Sequence, residues 1–370
     1  MHILRIANFV SPTSGGIKTA LREWGEVYRA RGHRVSLIIP EDGASPSVSE
    51  EPQGMVYRVP ARAVPRTGYS LIWSRSGMSS LMSAIRPDSI EVSDRSTLRW
   101  TGRWARQRNP RVGSIMISHE HLTGILDRRT PLPPRPAHSV ADAINRRSAH
   151  SHDAIVCPSR FAAAEFLRAG LDAHVVPLGV DLDTFTPQHS ARRAEGQTLR
   201  LIHCGRLSGE KNPGLSIETV RELTRRGHDV HMTVLGHGPM RATLMHQATG
   251  LPVTFHPYIH GRKELAAAIG PANVALAPGP VETFGLAALE ALACGVPTVC
   301  PVEGALGEVV GVGGVVSPST PGAFADGVEA LTARRNARLL ARTQAERFTW
   351  ATSADRMLRL HQRVAPSSPN

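Results

Sequence analysis

The chain has 370 residues, 41% hydrophobic and 20% charged, the composition of a soluble globular protein long enough for about two cores. A net charge of +12 comes from 43 basic residues spread along the chain and not gathered in one block, which argues against nucleic acid and favours an anionic substrate or the anionic face of a membrane. No apolar run of about 18 residues and no signal peptide is read, so a cytoplasmic protein is expected; Cys157, Cys204, Cys294 and Cys300 have neither zinc nor disulfide spacing and are expected reduced and buried.

His2 to Ala7 reads as a buried first strand, and Ile17, Ala20, Leu21, Trp24, Val27 and Tyr28 fall at helical spacing after it. Between them lies "SPTSGGIKTA". A phosphate-binding P-loop requires lysine directly after the last glycine, and here Ile17 intervenes, so that reading fails. Gly15 and Gly16 instead suit close approach of the backbone to a phosphate or another ligand group. Lys18, in the first helical turn, suits an anionic acceptor group. "RGHRV" ends the helix and begins a second strand, and "RGHDV" repeats that punctuation at Arg226 to Val230 after the strand "LRLIHCG" and a helix from Pro213.

Further strands are expected at Ser89 to Val92, Gly113 to Ser118, Ala154 to Cys157, Val253 to Phe255, Val274 to Ala277, Pro297 to Cys300 and Gly314 to Val316. Helical segments alternate with them. The pattern is α/β, two Rossmann-like halves in series, with the linker in "PLGVDLDTFTP" at Pro177 to Pro187. The boundaries read as 1–180, joined by a last helix at about 350–364 with Trp350, Ala354, Met357 and Leu358 on one side, and 188–345. Pro131 to Pro136 reads as a stiff surface loop, and the tail beyond Ala365 as disordered.

Two segments carry the chemistry. In "CGRLSGEKNPG", Gly205 and Arg206 stand at the carboxyl end of a strand and Lys211 just before a helix, where two cations and a helix N-terminus suit a diphosphate. The rarity of lysine strengthens this reading, because Lys18, Lys211 and Lys263 are the chain's only lysines. In "VETFGLAALEALACG", Glu282 and Glu290 are eight positions apart, about 12 Å along a helix. That is too far for the acid/base pair of a hydrolase, about 5 to 9.5 Å, and suits two distant hydroxyls of one extended ligand. The amides of Thr283, Phe284, Gly285 and Leu286 open a helix between them. In the first half, "SHEH" puts His119 at a strand end and His121 two residues on. Asn8 and Asp94 end neighbouring strands and, with His121, are candidates to line an acceptor site.

Together these segments resemble the retaining glycosyltransferases of family 4, including phosphatidylinositol mannosyltransferases and antibiotic-pathway enzymes. The glycine-pair loop, "PLGVD", "LGHGPMRATL" and "EALACGVPTVCP" occur in family order, although Leu178 and His237 stand where many members have Asn and Asp. The resemblance implies a GT-B fold, two Rossmann-like domains facing across a cleft, and transfer of a hexose from a nucleoside diphosphate sugar, a UDP- or GDP-sugar, to a hydroxyl acceptor, lipid-linked or natural-product. It implies that Gly205, Arg206, Glu210 and Lys211 grip the diphosphate and that Glu282 contacts the sugar and Glu290 the ribose. Tyr258 and Ile259 would lie beside the base, and His119 would face the donor sugar. "DLD" at 181–183 resembles the metal motif of the other glycosyltransferase fold, but it falls in the linker, and Arg206 with Lys211 supplies the charge a metal would bring. No metal and no cofactor beyond the nucleotide-sugar co-substrate is expected. Peripheral contact with the inner membrane face, through Arg99, Arg103, Arg106, Arg108 and Arg111, is the corollary of a lipid acceptor. A sugar-nucleotide epimerase of the same fold and a nucleic-acid-binding protein are the alternative classes.

Overall fold

The computed structural model describes residues 1–10, 15–41, 45–64, 69–129, 134–187 and 197–365. Residues 11–14 of the glycine-pair loop, 131–133 of the proline-rich segment and the tail beyond Ala365 lie outside the described residues. Contacts divide the chain into two units, Met1–Leu178 with Trp350–Asn370, and Gly179–Thr349.

The first unit is built on strands β1 (His2–Ile6), β2 (Arg34–Glu41), β3 (Ser47–Glu51), β4 (Gly54–Pro60), β5 (Arg62–Val64), β6 (Tyr69–Leu71), β7 (Ser89–Val92), β8 (Gly113–Ile117), β9 (Ala154–Cys157) and β10 (His174–Val175). Eight of them form one sheet in the order β10-β9-β8-β7-β1-β2-β4-β3, and β5 pairs with β6 apart from it. Pairing in the large sheet is parallel except for β3 against β4. Sequence patterning did not anticipate that antiparallel pair, because β3 reads Ser-Val-Ser-Glu-Glu at an exposed sheet edge and buries no residue. The proline-rich stretch is a correction: no surface loop continues to Pro136, because the helix Pro134–Ala149 already begins there. A proline in the first helical turn gives up no intrahelical hydrogen bond, so the segment starts a helix that its prolines were expected to prevent.

Strands β1, β7, β8 and β9 are buried along their whole length, as parallel strands covered on both faces must be. Within that layer sits a buried ion pair. Arg5 and Glu91 are register partners on β1 and β7 and meet at 2.6 Å, each side chain 1% exposed. Glu91 Oε1 also accepts the Tyr28 hydroxyl at 2.6 Å and meets His361 Nε2 at 2.8 Å, while His361 Nδ1 meets Ser89 Oγ at 2.7 Å. Arg5 further donates to the carbonyls of Leu21 and Ala20. The carboxylate thereby ties the sheet to helix Gly16–Ala30 and to the last helix, Trp350–Val364. Trp24 adds a bond to Ser353 Oγ at 2.9 Å, and Ser353 donates to the Pro177 carbonyl at 2.6 Å.

The second unit is a single six-stranded parallel sheet of β11 (Leu199–Cys204), β12 (Val230–Leu235), β13 (Val253–His256), β14 (Val274–Leu276), β15 (Thr298–Pro301) and β16 (Gly314–Ser317), in the order β13-β12-β11-β14-β15-β16. The order runs outward from β11 in both directions, so the chain reverses its direction of sheet growth between β11 and β14. In open α/β sheets that reversal leaves a crevice at the carboxyl ends of the two strands. Leu201, Val220, Met232, Val274, Phe324 and Val328 form part of the apolar core beneath.

Burial pushes the Glu91 carboxyl up, but Arg5 and the hydrogen-bonded His361 outweigh it and hold the group at about 2; Glu165, likewise desolvated but paired with Arg95, also lies at about 2. Both folded values are below the ordinary 4.5, so the unfolded chain takes up protons first. Their stabilisation is complete above about pH 5.5, erodes below 4.5 and is gone as pH falls through about 2. All five tryptophans belong to the first unit, so their fluorescence reports its unfolding. Glu91→Gln strands the Arg5 charge and is expected to cost about 3–5 kcal/mol in urea unfolding near neutral pH. It is also expected to flatten the acid-side loss of stability; an unchanged acid profile would show that Glu91 does not carry it.

Candidate active site

Gly205 to Lys211 leaves the carboxyl end of β11 and is sewn to the loop after β12. The Leu207 amide donates to the His237 carbonyl at 3.0 Å and the Met240 amide to the Leu207 carbonyl at 2.9 Å, while the Leu207 side chain is fully buried. Gly236, at φ +156°, allows this approach, since a Cβ there would lie 1.9 Å from the Gly205 carbonyl oxygen. The segment closes in a 3-10 turn, Gly209–Lys211, and Asn212 passes the chain into helix Pro213–Arg225. Glu210 accepts Ser208 Oγ at 2.6 Å. Desolvation raises its carboxyl, but that bond, its own backbone amide and the charges of Lys211 and Arg206 bring it below its ordinary value.

Across the β11/β14 reversal, Lys211 Nζ meets Glu282 Oε1 at 2.5 Å, with the side chains 31% and 22% exposed. At that exposure the pair contributes at most about 1 kcal/mol, so its value is placement. The turn that presents Glu282 is held by the Ala305 amide, which donates to the Glu282 carbonyl at 3.0 Å. Two glycines not singled out from the sequence make room. A Cβ on Gly279 would meet Glu282 Cγ at 3.2 Å, and one on Gly304, at φ +84°, the Pro280 carbonyl oxygen at 2.7 Å. Nothing in the local sequence separates these from ordinary turn glycines.

The helix that follows is Leu286–Ala293, with Gly285 as its N-cap. Phe284 is 3% exposed and packs edge-on against Phe348 at 5.8 Å, so only its backbone is available to a ligand. Glu290 lies on this helix in a half-buried position. Its charge, after burial, raises the Tyr258 phenol above its ordinary range, and with burial it pushes the Cys294 thiol up to about 12. Glu290 and Tyr258 are thus electrostatic neighbours, and Tyr258 rests edge-on against His260 at 4.9 Å. Gly205, Arg206, Lys211, Glu282, the amides 283–286 and Glu290 all belong to this unit, on the segments following β11 and β14. Ile259 follows Tyr258 in the segment after β13. A cavity of about 470 Å³ in this unit is elsewhere, against Arg200, His231 and Pro271.

In the first unit, His119 follows β8, with Nε2 3.2 Å from Ser93 Oγ at the end of β7. Burial, then the positive charges of Arg5 and Arg95, lower its imidazole to about 4, so it is neutral at physiological pH. His121 is placed differently: its Nδ1 accepts the Gly124 amide at 3.0 Å at the start of helix Leu122–Arg129, and its ring stacks on Phe161 at 4.5 Å. Asp94 is 5% exposed and engaged by Asn8 at 3.0 Å and by Ser96 and Thr97. It shapes the loop after β7. Beside this loop a pocket of about 130 Å³ is lined by Trp73, Arg75, Thr97 and Trp100 among others. Gly15 and Lys18 are exposed at the start of helix Gly16–Ala30, and a Cβ on Gly15 would meet nothing. Among the described residues no helix is long and apolar enough to cross a membrane.

Fold and sequence thus place a turn bearing Arg206 and Lys211, and the carboxylates Glu282 and Glu290, on the segments that follow two strands at a sheet reversal. Comparison with known proteins gives its class. The family models "Glycosyl transferase 4-like domain" and "Glycosyl transferases group 1" match residues 15–180 and 185–348. The chain is 42% identical to the GDP-mannose-dependent alpha-(1-6)-phosphatidylinositol dimannoside mannosyltransferase of Mycobacterium tuberculosis, over 97% of this chain and 95% of that one. It is 28% identical to the GDP-mannose-dependent alpha-(1-6)-phosphatidylinositol monomannoside mannosyltransferase of Mycolicibacterium smegmatis, over 83% and 82%. In fold it is similar to the sucrose-phosphate synthase of Thermosynechococcus elongatus, with TM-score 0.79 at 21% identity over 99% and 100% of the two chains. The protein is a glycosyltransferase that moves a sugar from a nucleotide-sugar donor to an acceptor. The chain belongs to the family 4 glycosyltransferases of GT-B fold.

Gly304→Ala is expected to displace the turn that carries Glu282 and to lower kcat/KM for the donor about 10- to 100-fold. Gly307→Ala, whose new Cβ would meet only Val316 at an ordinary 3.5 Å, is the matched control and is expected to leave it unchanged. Equal kinetics for the two variants would remove the turn from the site.

Proposed function

We propose that this chain transfers mannose from GDP-mannose, with retained anomeric configuration and without a metal ion, to a hydroxyl of a mannosylated phosphatidylinositol. The observation that carries this reading is the 42% identity to a mannosyltransferase named for that donor and that acceptor class, spread over 97% of the chain. The site chemistry supports it. The Arg206 guanidinium can grip two oxygens of the leaving diphosphate and Lys211 supplies a point charge, together opposing the negative charge that develops as the glycosidic bond breaks. Lys211 has three N–H donors, so its bond to Glu282 leaves capacity for phosphate oxygens. Glu282 and the amides 283–286 take sugar hydroxyls and phosphate oxygens, Glu290 the ribose, and Tyr258 and Ile259 flank the base. Glycine at 15 and 16 admits close approach of backbone to ligand.

His119, neutral, is assigned to a hydroxyl of the donor sugar. The acceptor is assigned to the pocket at Trp73, Arg75, Thr97 and Trp100, where indole faces suit a pyranose or inositol ring and a guanidinium suits phosphate. Lys18, exposed in the first turn of its helix, is assigned to an anionic group of the acceptor. A lipid acceptor entails peripheral membrane contact, and Trp73, 58% exposed, is suited to the interface.

A panel of UDP-, GDP-, ADP- and dTDP-sugars tests the donor, with GDP-mannose expected to give the largest thermal shift and an α-linked product by NMR. Product formed from the donor alone would identify an epimerase and overturn transfer. Arg206→Ala and Lys211→Ala are each expected to lower kcat tenfold or more, and near-native turnover in both would refute the diphosphate site. Trp73→Ala is expected to raise the acceptor KM several-fold at unchanged donor affinity; a fall in donor affinity instead would misplace the acceptor pocket.

A further inference from the structure

We propose that the buried ion pair Arg95–Glu165 is a positioning clamp for His119. This rests on the role given to His119 above and extends it to two residues outside the substrate-contacting set. Arg95 follows β7 and Glu165 lies on helix Arg160–Arg168; their side chains, 5% and 0% exposed, meet at 2.9 Å.

Between them they hold both ends of the segment that carries His119. Arg95 Nη2 donates to Ser118 Oγ and to the Glu120 carbonyl, the residues immediately before and after His119. On its carboxyl side, Glu165 Oε1 accepts the Thr123 amide at 2.6 Å and the Thr123 hydroxyl at 2.8 Å, and Oε2 accepts the Leu122 amide at 3.2 Å. The carboxylate thus satisfies amides at the start of helix Leu122–Arg129 that have no partner within that helix.

Arg95 is itself immobilised. Its Nη1 donates to Asn145 Oδ1 at 2.8 Å as well as to Glu165, its carbonyl accepts Ser148 Oγ at 3.0 Å, and the guanidinium lies over the Phe166 ring at 5.2 Å. The pair therefore fixes a short loop to two helices and to the end of β7, where the His119 imidazole meets Ser93. A buried pair is a poor source of stability compared with an apolar pair of similar volume. What this one supplies is orientation: two charged planar groups, bonded to each other, with five further bonds converging on Ser118, Glu120, Leu122 and Thr123 around His119.

The test is a double-mutant cycle on the full chain, with GDP-mannose and a phosphatidylinositol mannoside acceptor. Removing one charge alone strands the other, so the clamp is removed as the pair Arg95→Met/Glu165→Leu, which keeps the volume apolar. This variant is expected to keep the tryptophan-monitored melt and the donor Kd and to lose kcat tenfold or more. In a His119→Ala background the same pair is expected to cost less than twofold more, because the clamp acts through a side chain no longer present. Multiplying losses would mean a general structural role and overturn the proposal. So would a wild-type kcat in the clamp variant alongside a crippled His119→Ala, which would leave the reading of His119 intact. A His119→Ala enzyme with near-native kcat would instead overturn the role of His119, and the clamp with it. Should the double variant fail to fold, Ser118→Ala removes one anchor without touching a charge; it is expected to lower kcat severalfold at an unchanged melt, and no change would overturn the clamp.

Discussion

The first unit is organised around one carboxylate. Glu91 sits in the interior of a parallel sheet, where an uncompensated charge would be prohibitive, and every group that neutralises it comes from a different part of the chain. Arg5 is its register partner on β1, Tyr28 comes from the first helix, and His361 from the last. The arrangement constrains topology as well as energy. The last helix must return to the unit that contains β1, and it packs so closely there that a Cβ on Gly113 would lie 2.5 Å from Val364. Trp24, Ser353 and the Pro177 carbonyl extend the same seam to the end of the unit's main segment.

That pair also marks where sequence reading stops. The runs around β1 and β11 are legible as strands because a parallel strand covered on both faces needs near-continuous apolar residues, and the helix phase of Ala20, Leu21, Trp24 and Tyr28 is legible because all four are buried. Arg5 within the first run gives no warning that it is 1% exposed, since its partner is 86 positions away. The β3 edge is unread for the opposite reason: it buries nothing, so no apolar period is imposed on it. Pro134 misleads because proline breaks a helix interior but begins one without penalty.

The candidate site residues of the second unit are more legible in local order than those of the first, and the reason is geometric. A strand, an anion-binding turn and a helix are consecutive, so Gly205, Arg206 and Lys211 can be placed from local order alone. Glu282 could be nominated from the helix that follows it, but not paired with Lys211, which lies 71 positions earlier; sheet order brings the two together because β11 and β14 are neighbours only in the fold. Arg95 and Glu165, 70 positions apart, left no trace at all, each looking like an ordinary surface charge. Asp94 and His121 show the converse. Each has the residue type expected of a ligand contact, yet their polar atoms hold the loops after β7 and β8.

Two buried ion pairs flank His119, and their combined field has a chemical consequence for the role proposed for it. Burial is the largest influence against a positive imidazole, and Arg5 and Arg95 add to it while Glu91 acts the other way, so the group stays neutral down to well below physiological pH. In sugar transfer with oxocarbenium character the reacting ring becomes positive. An imidazolium about 5 Å away would oppose that charge by about 3 kcal/mol at an effective dielectric of about 20, more than a hundredfold in rate. A neutral ring of the same shape can still bond a sugar hydroxyl through either nitrogen without that penalty. On this argument burial, with the cations around His119, would serve the proposed reaction by denying the histidine a charge, while Arg206 and Lys211, in the diphosphate role proposed for them, would serve it by supplying charge.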